Sequence, residues 1–207
     1  GYDIIDTAAA AANGIWVANV PDYCADEVAD HTLLLLLATT RRLDQAASTW
    51  RAEGRWIVYD KLAPVYRPGN RTLGIVGMGR IGSRVAARAR GFGWRIVGAD
   101  EHMSPEAIRA NGAEPVSLDE LFRTADAITL HCPLSSATHH LVDAARLATT
   151  KPGVVIVNTS RGGLIDIAAL DAAVASGHVA AAGLDVLEDE PADRKSTRLN
   201  SRHIPLS

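Results

Sequence analysis

The stretch from Thr72 to Asp100 restricts the fold more than any other part of this chain. A short apolar run, Leu73 to Val76, reads as a buried strand. Gly77-Met78-Gly79-Arg80-Ile81-Gly82 follows at once and opens a helical segment that carries Ile81, Val85, Ala89 and Phe92 on one side. A second apolar run, Trp94 to Ala99, ends at Asp100. In such a strand–helix–strand unit Gly77 permits the tight turn, Gly79 lets backbone approach a pyrophosphate, and Gly82 lets helix pack on strand. The unpaired N–H groups at the helix start face the diphosphate. Asp100 lies 18 residues after Gly82, where a carboxylate can take both hydroxyls of an adenosine ribose. A lone Gly-x-Gly-x-x-Gly can be a flexible loop. With strand, helix, strand and acid all in place, the stretch is expected to bind a dinucleotide.

The rest of the chain alternates strand-like and helix-like segments. Ile15 to Ala18 reads as a short strand, and Ala25 to about Thr49 as one helix, apolar around most of its girth and so expected to be buried, partly in a subunit contact. Trp50, Trp56, Tyr59 and Tyr66 are scattered across the next segment without clear periodicity, consistent with an arm over a partner surface or a plain surface connection. Ser104-Pro105-Glu106 and Ser117-Leu118-Asp119-Glu120 are helix starts. Ala127 to His131, Val154 to Val157 and Val179 to Gly183 are strands; Asp143 to Thr149 and Ile167 to Ser176 are helices. This rhythm predicts an α/β fold, a doubly wound parallel sheet of Rossmann type. In such sheets ligands sit beyond the carboxyl ends of the strands. The glycine loop, His131 to Pro133, Thr159 to Arg161 and Asp185 all fall there.

Composition excludes several classes. The 207 residues are 47% hydrophobic and 22% charged, enough for a packed core. A net charge of −3 gives no basic footprint for direct nucleic-acid binding. The longest apolar run, Leu33 to Ala38, is far too short to span a bilayer. Cys24 and Cys132 form no disulfide framework or CxxC pair, which fits a reducing cytoplasm. His139 and His140 have no further ligand at useful spacing, so no metal site is expected. Arg161, between a buried strand and a glycine pair, can fork onto a carboxylate. Glu190 sits in an acidic run that by itself suggests only a solvated loop.

Several stretches, in order, carry a resemblance: GYDIID, NVPDYCADEVADHTLLLLLA, TLGIVGMGRIG, SLDELFRTADAITLHCPL, KPGVVIVNTSRGGLID and AAAGLDVLEDEP. From Gly1 to Pro191 the chain resembles the NAD-dependent D-2-hydroxyacid dehydrogenases, with the phosphoglycerate dehydrogenase and C-terminal-binding-protein branches nearest. The resemblance implies hydride transfer between NAD(H) and C2 of a small 2-hydroxy or 2-keto acid. It implies that Arg161 holds the substrate's carboxylate and carbonyl, and that Glu190 pairs with an acid–base histidine and raises its pKa. Arg80 and Ile81 would meet the pyrophosphate, Asp100 the ribose, and Asp185 the nicotinamide carboxamide. Cys132, Pro133 and Thr138 would line the adenosine and ribose side, with Thr159 and Ser160 near the nicotinamide. A homodimer through the Ala25–Thr49 helix and the Arg51–Gly69 arm is expected.

Three departures from the family pattern shape the remaining expectations. Residues 1–20 read as a remnant of a substrate domain and 21–191 as the NAD-binding domain, so the chain is expected to be a fragment. No Thr-Pro-His follows Glu190; His203 lies 13 residues beyond it in a different context. Turnover is therefore expected to be lost. Asp193 to Ser207 does not resemble the family, and its opening Asp-Arg-Lys-Ser is what a common sequencing adapter encodes, so 192–207 is expected to be foreign sequence. An NAD(H)-sensing binding protein of the C-terminal-binding kind is the alternative to an enzyme.

Overall fold

The structure, a computed structural model, describes residues 5–20, 22–54, 65, 67–188 and 203–205. Its centre is a parallel sheet in the order β3-β2-β1-β4-β5-β6-β7. The strands are β1 (Thr72–Val76), β2 (Arg95–Ala99), β3 (Glu114–Pro115), β4 (Ala127–Leu130), β5 (Val154–Asn158), β6 (Val179–Leu184) and β7 (His203–Pro205). The order reverses direction between β1 and β4, as in doubly wound dinucleotide folds. The expected α/β parallel sheet is therefore present.

Strand residues alternate between two apolar layers, as the two-residue period of a strand requires. Leu73 and Ile75 of β1, Ala127 of β4, and Val155 and Val157 of β5 face one layer. Val76, Ile128, Leu130, Val154 and Ile156 face the other. Because both faces are covered, the strands read as continuous apolar runs rather than alternating ones. The first layer is closed by α2 (Ala25–Thr40), α4 (Arg80–Arg90) and α5 (Pro105–Ala110), through Leu33, Leu35, Leu36, Val85, Ala89 and Ile108. The second is closed by α6 (Leu118–Thr124), α7 (Ala144–Ala148) and α8 (Ile167–Ala175), through Leu121, Phe122, Leu147, Leu170 and Val174.

Helix starts follow local chemistry. The Ser104 and Ser117 side chains accept from Ala107 N–H and Glu120 N–H, as expected, and Asp143 and Asp166 do the same for α7 and α8. At the other end of the sheet, Asp126 binds Thr72 N–H (2.8 Å), Arg71 (3.0 Å) and Lys151 (3.2 Å), pinning the entries of β1 and β5 to that of β4. Burial works against its charge, but these donors hold the carboxyl below its ordinary pKa.

Two readings need correction. The helix expected from Ala25 to Thr49 ends at Thr40: Arg42 takes a left-handed conformation (φ 53°), and α3 (Leu43–Glu53) starts afresh. Ile15 to Ala18 forms no strand, because no neighbouring strand pairs with it. Ahead of it Asp6 caps a short alanine-rich helix, α1 (Thr7–Ala12), which hydrophobic periodicity could not signal. The apolar girth of α2 is mostly spent inside this chain: Leu33, Leu35 and Leu36 are buried, while Leu34 stays half exposed. Trp56, Tyr59 and Tyr66 of the expected arm lie outside the described residues. His203–Pro205 pairs in parallel with β6, so part of the segment beyond 192 joins the sheet as a short edge strand.

Gly74 shows how closely α6 rests on β1. A Cβ built there would lie 2.6 Å from Leu121 Cδ2 and 3.0 Å from Ala125 Cβ, both fully buried. Gly74→Ala should therefore lower stability by about 1–3 kcal/mol, the usual cost of overpacking, read as a lower midpoint in urea unfolding. An unchanged midpoint would show that the α6 contact yields freely.

Candidate functional site

The carboxyl ends of β1, β2, β4, β5 and β6 each hand over directly to a residue singled out in the sequence. After β1, Gly77 has φ +88°, and a Cβ there would lie 2.6 Å from Cys132 N. A Cβ on Gly82 would lie 2.0 Å from the Gly77 carbonyl oxygen, so α4 can begin this close to β1 only as glycine. Gly79 differs: nothing stands within 4 Å of its missing side chain, leaving the mouth of the loop open. Gly79 is also the N-cap of α4, with no side-chain cap and no acid in the first turn. The first N–H groups of a helix have no intrahelical partner, so those around Arg80, Ile81 and Gly82 face an opening suited to an anion.

Asp100, at the end of β2, reaches back to this loop. Its Oδ2 accepts from Met78 N–H (2.8 Å) and its Oδ1 from His102 N–H (2.9 Å). Two bonds leave further lone pairs on the carboxylate for ligand hydroxyls. The loop and the acid, read from the sequence as parts of one unit, are joined by a hydrogen bond.

After β4, His131 continues the strand by donating its N–H to Val76 O (2.7 Å), and its Nε2 meets Thr129 Oγ1 at 2.9 Å. Burial pushes the His131 imidazole down to about 3, so it stays neutral. Burial likewise pushes the Cys132 thiol up to about 11, which keeps it protonated and unreactive. Thr138 braces the loop that follows: its hydroxyl donates to Pro133 O (2.7 Å) and accepts from Ser135 N–H (2.8 Å).

After β5, Asn158 knots the next loop. Its side chain accepts from Ser160 N–H (3.0 Å) and donates to Arg161 O (2.9 Å). Ser160 Oγ donates to Cys132 O (2.9 Å), joining the β4 and β5 loops. Arg161 Nη1 donates to Ser160 O (2.8 Å), which folds the half-buried guanidinium over its own loop. Gly162 is required there, since a Cβ would lie 2.0 Å from the Leu187 carbonyl carbon. The segment after β6 thus runs against the Arg161 loop. Asp185 starts that segment, and its N–H donates to Asn158 O (3.0 Å). Glu190 lies outside the described residues.

Sequence reasoning missed the contribution of α2. Thr32 and Thr159 share a buried hydrogen bond of 2.8 Å, and His31 Nε2 lies 3.2 Å from Asp185 Oδ1. The latter pair is at ion-pair distance but lacks hydrogen-bond alignment, and His31 Nε2 has no other partner among the described residues. These contacts bridge more than 120 residues of chain, so no local spacing could have shown them. The same is true of Glu188. His139 and His140 appeared to lack a third ligand, yet the fold sets Glu188 beside both (2.9 and 3.0 Å). Hydrogen bonding to Glu188 raises the His140 pKa, and the bond from His140 lowers that of Glu188.

The depressed pKa of His131 sets a pH dependence. Between the ordinary histidine value of ~6.5 and about 3 the unfolded chain takes up a proton that the folded chain refuses. Stability from this group is therefore constant above pH ~6.5 and declines as pH falls below it. His131→Gln, which cannot titrate, should show a shallower fall in urea midpoint between pH 6.5 and 4.5 than the parent protein. Parallel profiles would show that His131 protonates in the folded state.

Comparison with known proteins gives this geometry a family. The chain is 43% identical over 202 residues to a glyoxylate reductase of Thermococcus kodakarensis, covering 92% of this chain and 59% of that protein. It is 44% identical over 191 residues to a D-3-phosphoglycerate dehydrogenase of Mycobacterium tuberculosis, covering 92% and 36%. The crystal structure of a glyoxylate reductase from Paecilomyes thermophila superposes with a TM-score of 0.87 at 40% identity, over 100% of this chain and 62% of that one. A D-lactate dehydrogenase from Aquifex aeolicus, solved with NAD and lactic acid, gives 0.87 at 32%, over 99% and 66%. The chain thus spans about three fifths of the glyoxylate reductases it matches. The family model for the D-isomer specific 2-hydroxyacid dehydrogenase NAD binding domain matches residues 33–206, and the chain belongs to that family.

Proposed function

We propose that this chain is the cofactor-holding part of an oxidoreductase that moves a hydride between NAD(H) and a small 2-keto or 2-hydroxy acid. The observation that carries the reading is convergence. The open glycine loop, Asp100, the Thr159–Arg161 loop and Asp185 meet along the carboxyl ends of adjacent strands, held together by Met78–Asp100, Ser160–Cys132 and Asp185–Asn158 bonds. The names of the similar proteins point to glyoxylate-sized acids as the first substrates to try.

The residues present fit a dinucleotide. The uncapped start of α4 and the open space at Gly79 receive a diphosphate, with Arg80 beside it. Asp100 accepts hydrogen bonds from the adenosine ribose. Cys132, Pro133 and Thr138 form the wall on that side, and Cys132 contributes a neutral thiol surface. Thr159, Ser160 and Asp185 stand at the nicotinamide end, where Asp185 accepts from the carboxamide. Bound there, NADH supplies the hydride. Arg161 offers a forked cation to the acid's carboxylate and draws electron density from its carbonyl oxygen, charge that grows as the alkoxide forms. Proton delivery to that oxygen belongs to a histidine paired with Glu190, and the 207 residues hold no Thr-Pro-His after Glu190.

We further propose that residues 21–191 form the NAD-binding unit and that 1–20 belong with a substrate domain. Trp16 is 97% exposed, with Ile15 and Val20 exposed beside it, as expected of a segment that packs on something else. A homodimer through the Ala25–Thr49 stretch and the Arg51–Gly69 arm is supported by the exposure of Leu34, Leu43 and Trp50.

Two measurements test the reading. The purified chain should bind NADH saturably, seen in NADH fluorescence, yet oxidise it with glyoxylate or hydroxypyruvate ~10²–10⁴-fold more slowly than a complete relative, the usual worth of a missing general acid. Absence of saturable binding by a folded chain would remove the proposal, and rapid turnover would show that the proton comes from another group. NAD should be preferred over NADP, because a 2′-phosphate would set its charge against Asp100 and neighbouring Glu101. Asp100→Ala should narrow that preference, mainly by weakening NADH. Equal affinity of the parent chain for NADH and NADPH would overturn the role of Asp100.

A further inference from the structure

The side chains of His139, His140 and Glu188 form a compact group on the surface that the dinucleotide reading does not use. Their donor atoms all lie within 4.8 Å of one another. Glu188 Oε1 stands 2.9 Å from His139 Nε2 and Oε2 stands 3.0 Å from His140 Nε2. The two imidazoles are stacked, with centroids 3.9 Å apart and planes 23° from parallel, and both Nε2 atoms reach the one Glu188 carboxylate. We propose that this group is a binding site for one divalent transition-metal ion of the zinc class, held by the two Nε2 atoms and the Glu188 carboxylate.

The donor set suits such an ion. Two imidazoles and one carboxylate, completed by water, are a known tetrahedral zinc arrangement, with bonds of ~2.0–2.2 Å. Closing the group onto an ion asks for small side-chain rotations only, and all three side chains are at least one third exposed and so open to water. Adjacent residues rarely aim two imidazoles at one point. Here the backbone enforces it: His140 has φ 50°, a costly conformation for a non-glycine residue. It is held there by its N–H donating to Gly163 O (2.8 Å), while His139 N–H donates to Ser135 O (2.8 Å). Thr138 braces the turn ahead of them. The donors are thus fixed by the frame before any ion arrives, which lowers the ordering cost of binding.

An open cleft of about 830 Å³ lies alongside, lined in part by His139, His140, Asp119, Asp143, Arg123 and Arg146, and gives access from solvent. Arg146 is paired with Asp119 (3.1 Å), so its charge is balanced on the cleft wall. An ion in this place would tie the loop after β4 to the segment after β6, two residues before Glu190. Its occupancy would stiffen the chain leading to that acid.

The test uses the full chain, stripped with a chelator and then titrated with Zn²⁺ against a chromophoric competitor, with Co²⁺ as a spectroscopic probe. One equivalent should bind, and the Co²⁺ spectrum should show d–d bands of nitrogen and oxygen ligation without a thiolate charge-transfer band. His139→Gln and Glu188→Gln should each weaken binding at least ~10-fold, and Zn²⁺ should raise the thermal midpoint of the parent but not of the variants. Circular dichroism and NADH fluorescence unchanged in both variants keep the result independent of folding and of the dinucleotide reading. Failure to bind one equivalent would overturn the site. So would a thiolate band, or equal affinity in parent and variants.

Discussion

The meeting of Gly77 with Gly82 is the contact on which the rest of the molecule depends. With a Cβ at Gly82 placed only 2.0 Å from the Gly77 carbonyl oxygen, any side chain would push α4 off the end of β1. Because none is there, the helix starts immediately above the strand and its unpaired N–H groups sit over the sheet's carboxyl edge. The turn is then locked from the neighbouring strand: Gly77 N–H donates to Ala99 O (2.8 Å) and Met78 N–H to Asp100 (2.8 Å). One steric vacancy thus fixes the helix, the acid and the anion opening together. Replacing Gly82 would disturb all three at once.

From that edge the organisation spreads by cross-loop hydrogen bonds rather than by apolar contact. The side chain of Asn158 binds Ser160 N–H and Arg161 O, Ser160 Oγ reaches Cys132 O, and Asp185 N–H reaches Asn158 O. Each bond is worth only about 1 kcal/mol net, but an orphaned buried partner costs more than that. The loops therefore hold one another in register. α2 joins this network through Thr32 and Thr159 while its leucines seal the sheet, so a helix that looks like core packing also sets the floor of the site.

Where local physics decides, the sequence was a faithful guide. The βαβ unit, the strand ends and the serine-capped helices follow from period, turn chemistry and caps, each confined to a few neighbouring residues. Where a contact spans distant chain it was invisible. Nothing in DHTLLLLLA says that Thr32 will meet Thr159 or that His31 will face Asp185. The break at Arg42 was also hidden, because it needs a left-handed arginine that propensity alone would never choose. His139 and His140 show the same limit in reverse: a third ligand was sought at nearby spacing, and the fold delivered it from the far side of β6.

These two kinds of residue divide the chemistry. The glycine loop and Asp100 are local, set by neighbouring residues of one βαβ unit. The Arg161 loop is held by Asn158, Cys132 and the backbone near Leu187. The segment through Leu187 is pressed against Gly162 and tied by Glu188 to the histidine pair. A shift of that segment cannot leave Arg161 untouched, since no space separates Gly162 from Leu187. The placement of Arg161 is therefore coupled to the segment that follows β6.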